Sequence, residues 1–429
     1  MARRQAADRA AASALSGSDV VGNTISFAAS MPSMSDADFL AALTTMPPEQ
    51  LAALQKQIET RLASMEPDVV KQWWDSMGGR GSAGEHSAAQ DGLITALPAV
   101  IGNLNGVAYW ARDQANRISA QKAFDAAKAD LKRAKESVAS AVGRTAYSRA
   151  LAQLRAAEQQ HGAIKNFLAG VRTPLAVGVI ATRQAVSFHE GPPALGAMSL
   201  GDLDRADNVT YLVPGMGTTL ADTTLLVRAS SNVVAAQRQL PDGGNTALVS
   251  WIGYEPPPNI LKTADPSVFL EHDADVGAPR LAHDLEGFRA SRPDTKLNVI
   301  AHSYGSTVAS LTLNQREDLG VNSLVTLGSA GIPTRVPDAA ATHAAHVYAA
   351  QAEERWNVAE IGRKMSSPRR ADPTQGFGAT NIDAGSVDGS SPVNVHDLLV
   401  NSSGDADGDH GYLDAGTNSL LQTAKATLR

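Results

Sequence analysis

The chain has 429 residues, 43% apolar and 19% charged, which allows a sizeable core and two or three domains of roughly 150 residues each, and excludes a chain disordered throughout. A formal charge of -7 with no compensating basic cluster argues against a nucleic-acid surface. The absence of cysteine removes disulfides, thiolate metal sites and cysteine nucleophiles together.

Met1 to Val20 is Ala-rich and basic but lacks an apolar core of signal-peptide length, and no apolar run reaches the ~18 residues of a transmembrane helix. The expectation is a cytoplasmic protein, with export lacking a classical signal peptide as the alternative. Residues 1–34 show no clear periodicity and read as a flexible arm. Residues 35–90 read as a short helical segment and linker. Ser35 with Asp38 resembles a capping box, and Pro47-Pro48-Glu49 opens a helix with Leu51, Leu54, Ile58, Leu62 and Met65 at spacings of three and four. A further helix from Pro67 ends at Gly78-Gly79, and its Trp73 and Trp74 are expected to pack between helices or against the later domain. Gly78 to Asp91 is Gly/Ser/Ala-rich, as a linker would be.

Residues 91–175 read as a helical hairpin. The turn-rich stretch Ile101 to Ala108 and then Arg112-Asp113-Gln114-Ala115-Asn116-Arg117 lead into a long amphipathic tract with Ile118, Phe124, Leu131, Val138, Leu151, Leu154, Ile164 and Leu168 on one face and a break at Gly143. From 176 to 429 the pattern changes. Strand-like runs at Val209–Val213, Ala247–Ile252, Leu297–Ile300, Leu324–Leu327 and His346–Ala349 alternate with helical stretches at Asp222–Arg238, Leu281–Ala290 and Thr307–Asn314, and a last helix starts at Thr417. Such alternation predicts an α/β domain with a doubly wound, mainly parallel sheet, preceded by an all-helical amino-terminal region.

The chemistry concentrates in Leu297-Asn298-Val299-Ile300-Ala301-His302-Ser303-Tyr304-Gly305-Ser306-Thr307, a strand, sharp turn and helix in the order of a nucleophile elbow. Ala301 departs from G-x-S-x-G, but it is the next smallest side chain. An alcohol is a poor nucleophile near neutral pH, so Ser303 needs a base and an acid that orients the base. Glu353 and Glu354 follow the last strand-like run, at the carboxyl edge of the sheet. Glu354 is the preferred acid, with Glu353 and Asp338 as alternatives. His410, in the polar loop Asp409-His410-Gly411-Tyr412-Leu413-Asp414, is the expected base, and His396 is the alternative. His302 is expected to point away and pack. Thr210 to Thr219 supplies a glycine-bearing turn after a strand, so the backbone N–H groups of Met216 and Tyr304 are the candidate oxyanion donors. That turn lacks both phosphate-loop spacings. Asp405, Asp407 and Asp409 alternate like a calcium loop, but His410 stands where glycine belongs and Gly416 where glutamate belongs, so no metal and no cofactor are expected.

The chain resembles a bacterial alpha/beta-hydrolase family of largely uncharacterised function with a helical amino-terminal region. The matching pieces are Ile101 to Gly106 with Arg112 to Arg117, Gly201-Asp202 with Ala206-Asp207, Val213 to Thr218, Ala301 to Gly305, Gly328-Ser329-Ala330-Gly331, and His410 to Leu420, over roughly residues 95 to 425. The resemblance implies the alpha/beta-hydrolase fold, Ser303 as nucleophile, His410 as base and oxyanion donors near Met216; it implies no substrate. The expected function is a serine hydrolase cleaving a carboxylic ester, from a small molecule or a lipid, through an acyl-enzyme. An acyltransferase would use the same machinery. The other alternative is a secretion-associated or partner-binding protein acting through the helical hairpin. Tyr109 and Asp113 fit a Y-x-x-x-D pattern of that class, but Trp74 is followed by Asp75-Ser76 rather than by a W-x-G turn.

Overall fold

A computed structural model of the chain describes residues 24–78, 85–172, 182–353, 357–400 and 408–429. Its strands are β1 (Arg183–His189), β2 (Leu195–Leu200), β3 (Asn208–Val213), β4 (Thr246–Ile252), β5 (Lys296–His302), β6 (Val321–Leu327), β7 (His346–Ala350) and β8 (Thr380–Ile382). They form one sheet in the order β1-β2-β4-β3-β5-β6-β7-β8. From β4 through β8 neighbouring strands are parallel, while β2 runs antiparallel to both β1 and β4. Every residue of β3 and β4 is buried, because helices cover both faces of the sheet.

The helix Thr223–Arg238 connects β3 to β4 and packs on one face through Leu226, Val233 and Val234, beside the closing helix Asn418–Ala426. The helices His272–Ser291 and Gly305–Gln315, before and after β5, pack on the other through Leu281, Leu285, Phe288, Val308 and Leu311. Adjacent strands β3 and β5 thus send the chain to opposite faces. In open α/β sheets such a switch point, beyond the carboxyl ends of the strands, is the place where ligands are held.

The amino-terminal helices form their own cluster of Phe39, Leu51, Ile58, Leu62, Trp73, Trp74, Ile101 and Trp110. Trp74 is fully buried, 6.1 Å from the ring of Trp110, and Trp73 donates its Nε1–H to Thr44 Oγ1 at 3.0 Å. Residues 24–33, inside the stretch read as an arm, are helical, and Phe27 stacks on Phe39 at 6.3 Å. The helix Ala88–Ala96 begins inside the expected linker, started by a capping box between Ser87 and Gln90. Two long helices, Tyr109–Ser140 and Arg144–Gly170, meet at Gly143, whose φ of +88° suits glycine. None of the described helices is long and apolar enough to cross a membrane.

The polar motifs before and inside the first hairpin helix are used to close the open edge of β1. Asn103 accepts from Phe188 N–H (3.0 Å) and donates to Phe188 O (2.9 Å); Asp113 accepts from Ala185 N–H (2.6 Å). Asn116 donates to Ala185 O (2.9 Å) and Arg117 to Arg183 O (2.8 Å). An edge strand with unpaired N–H and C=O groups is a template for association, and these side chains occupy it. Asn105 reaches the other way, donating to His283 O at 2.8 Å beside Gly287, where a Cβ would collide with it. Tyr109 is buried against Phe288, and Asp113 is paired with Arg117 at 2.8 Å, so both members of the Y-x-x-x-D pattern are spent inside the chain.

Asp204 caps the first hairpin helix, accepting from Tyr109 N–H at 2.8 Å and Trp110 N–H at 2.7 Å. Burial outweighs those two hydrogen bonds and pushes its carboxyl up to about 6. The folded state therefore holds a proton that the unfolded chain, titrating near 4, has released. Between pH ~4 and ~6 the free energy of unfolding is expected to fall as pH rises, because deprotonation is easier in the unfolded chain. Equilibrium denaturation of Asp204→Asn across that window should show a smaller slope than wild type; equal slopes would remove Asp204 from the effect.

Candidate active site

The elbow is built where β5 ends. Ser303 has φ +52°, left-handed backbone that a serine adopts only when its surroundings impose it. They do so on both sides. Ser303 N–H donates to Leu327 O at the end of β6 (3.0 Å), and Ser303 O accepts from Ser306 N–H (3.1 Å), Ser306 Oγ (2.6 Å) and Ala330 N–H (3.3 Å). A Cβ at Gly305 would collide with Val213 O, so the helix after Ser303 can start against the end of β3 only with glycine there. Ala301 is fully buried in the apolar cluster beneath.

The loop after β3 lies against the serine. A Cβ on Gly215 would stand 2.7 Å from Ser303 Cβ and 3.2 Å from its Oγ, which places the Val213-to-Thr218 turn beside the hydroxyl. Gly217 N–H is bound to Pro257 O at 2.8 Å, fixing the far side of that turn. Tyr304 follows Ser303 into the helix. Burial raises its phenol above the ordinary range, so it stays protonated; it donates to Leu270 O at 2.9 Å and accepts from Ala274 N–H at 3.2 Å.

The histidine that reaches Ser303 is His396. Its Nε2 is 2.8 Å from Ser303 Oγ. His410, the expected base, does not come to the serine: it is 1% exposed, and among the described residues neither ring nitrogen has a hydrogen-bond partner. What its loop does is brace the loop that carries His396. Asn394 N–H donates to His410 O at 3.1 Å, Asn394 Oδ1 accepts from His410 N–H at 2.8 Å, and Tyr412 and Leu413 donate to Asp397 O and Leu398 O at 3.1 and 2.8 Å. Gly411 lets the two segments touch, since a Cβ there would stand 2.5 Å from Asp397 O. Asp414 finishes the brace by accepting from Gly411 N–H at 2.7 Å and from Val400 N–H at 3.1 Å.

Two of the candidate acids, Asp338 and Glu353, are exposed. Asp338 is exposed and accepts from Ala341 N–H at 2.9 Å, capping a short turn. Glu353 is exposed in the loop after β7, and Glu354 lies outside the described residues. Asp405 and Asp407 also lie outside them.

Two supporting arginines had no signal in the sequence. Arg369 is fully buried under the Tyr304 ring, 4.8 Å from its centroid, and donates to Ala330 O at 3.0 Å and to Val268 O. Arg363 donates to Ser329 O at 2.7 Å and pairs with Asp372 at 2.9 Å. Ser306 and Ser329 join hydroxyls at 2.7 Å. The Gly328-to-Gly331 motif is thus a strut under the elbow. Gly328, at φ +54°, allows the approach of the Tyr412 ring, which would meet a Cβ at 2.9 Å.

Residues 192–363 match the family model described as alpha/beta hydrolase. That range holds the Gly215 turn and the Ser303 elbow and ends before both His396 and His410. The chain is 28% identical over 247 residues to the uncharacterized protein Rv2079 of Mycobacterium tuberculosis, covering 56% of this chain and 36% of that relative. It is 27% identical over 146 residues to the uncharacterized protein Rv0963c of the same species, covering 32% and 52%. The chain thus spans little more than a third of the first relative's length. Among solved structures, a lipase in its open form is similar at 14% identity and a TM-score of 0.23, covering 33% of this chain and 41% of that one. The chain thus has an alpha/beta-hydrolase fold, matched by that family model over residues 192–363, with a helical region before it.

Proposed function

We propose that the protein is a serine hydrolase acting on a carboxylic ester of a small molecule or lipid, with Ser303 as nucleophile and His396, rather than His410, as base. The observation that carries the reading is the 2.8 Å approach of His396 Nε2 to the hydroxyl of a serine held at positive φ. Ser303 Oγ attacks the acyl carbon as its proton passes to His396 Nε2; the leaving alcohol takes that proton, and water activated by the same nitrogen releases the acid. The Met216 and Tyr304 N–H groups are assigned to the developing oxyanion because the turn that carries Met216 lies so close that a Cβ on Gly215 would stand 2.7 Å from Ser303 Cβ. Glu354 is assigned as the acid on its position after β7 alone. No step requires a cofactor.

The same geometry would serve an acyltransferase, and no observation favours that reading over hydrolysis. A role as a partner-binding hairpin is disfavoured by the internal engagement of Tyr109 and Asp113. Labelling by a fluorophosphonate probe is the test. Wild type is expected to label and Ser303→Ala to stay blank, and p-nitrophenyl esters of increasing chain length would then rank acyl groups. Equal labelling of the two proteins would end the serine-hydrolase reading.

A further inference from the structure

We infer that His302 is a positioning residue that fixes the distance between base and nucleophile; the inference rests on His396 being the base. His302 closes β5 and pairs with Leu327, so its backbone is set by the sheet. Its ring is buried, and its Nε2 lies 2.7 Å from the carbonyl oxygen of His396. A carbonyl oxygen only accepts, so His302 Nε2 carries a hydrogen and donates it. The two imidazoles lie 5.2 Å apart, and the Tyr412 ring stands 6.0 Å from His302 on the segment that braces the His396 loop.

The consequence is a closed circuit. Adjacent residues of one strand end hold both ends of residue 396: Ser303 Oγ meets its side chain, and His302 holds its backbone. The base sits on an irregular loop, which is also tied to the irregular residues 410–414 and, through Val393 N–H, to Ala384 O at 2.8 Å. The tether from His302 refers this loop directly to the strand that leads into the nucleophile. A misplacement of about 1 Å in a reacting pair can cost roughly 100-fold, so a single hydrogen bond at this point should be visible in turnover.

The experiment compares wild type, His302→Phe and His302→Gln by steady-state kinetics on the best p-nitrophenyl ester, with thermal melting of each. Phe keeps an aromatic ring without the donor; Gln keeps an N–H at similar reach. For His302→Phe, kcat is expected to fall about 10- to 100-fold with KM within about twofold, and His302→Gln should recover most of the loss. The inference is overturned if His302→Phe keeps kcat within twofold, if KM alone changes, or if Gln is no better than Phe while both melt like wild type. If Phe does not fold, the Gln and Asn variants decide: full rate in Gln with a loss in the shorter Asn supports the tether, and equal rates in both refute it. Failure of the underlying reading looks different, because His396→Ala would then keep wild-type turnover whatever His302 does.

Discussion

His396→Ala is expected to reduce ester turnover by about 10,000-fold or more, and His410→Met to leave it within about threefold. The first magnitude is that of removing the base from a serine triad whose members act as a unit. Without an acceptor 2.8 Å from Ser303 Oγ, the hydroxyl has no route for its proton. The second expectation follows from burial. His410 keeps two ring nitrogens out of water with no hydrogen bond to offset their desolvation, so a flexible apolar side chain of similar size should cost little stability or add some. The bracing by residue 410 runs through backbone N–H and C=O, which the substitution leaves in place. Turnover, circular dichroism and melting on the two variants suffice. A folded His410→Met protein as inactive as His396→Ala would return the base to His410.

The two histidines are hard to separate from sequence for a physical reason. Both stand in polar stretches ahead of the last helix, and the two segments run side by side, so spacing alone puts either near the serine. What separates them is which one turns its side chain toward Ser303, and that follows packing between non-neighbouring segments: Gly411 against Asp397, and the Tyr412 ring against Gly328. Ser303, by contrast, was legible because its turn is local. A buried strand, a small residue, a positive φ and a helix start are all written within the eleven residues from 297 to 307. The five central strands were legible for a related reason, as short apolar runs between helices. The strands β1, β2 and β8 were not. Gln184 and Ser187 interrupt the apolar run of β1, and β8 is three residues long. His302 was expected to pack, and it does, but its hydrogen bond to residue 396 joins positions 94 apart, which no local pattern reveals. The motifs Ile101 to Gly106 and Arg112 to Arg117 carried a family likeness without a role; the role is visible only once β1 is seen to be an edge.

That edge supplies the second large effect. Asn103→Ala removes both partners of the Phe188 peptide groups, and Asp113→Ala removes the acceptor of Ala185 N–H together with the partner of Arg117. Leaving a buried backbone group unsatisfied costs about 1–3 kcal/mol, so each variant should lose about 2 kcal/mol of unfolding free energy and the pair about 4. The two sites bind different peptide groups of one strand, so near-additivity is expected, with any shortfall measuring how far one release loosens the other. The released edge should also pair with other molecules, giving association that grows with concentration in size-exclusion chromatography. Asp113→Asn separates the hydrogen bond from the charge, because its Oδ1 can still accept from Ala185 N–H. Burial already raises the Asp113 carboxyl above its usual range against the pull of Arg117, so the neutral amide should retain most of the stability that alanine loses. Should Asp113→Ala unfold at the wild-type denaturant midpoint and stay monomeric, the hydrogen bond from Ala185 would not be what keeps this edge closed, and the acidic residue in the motif would need another explanation.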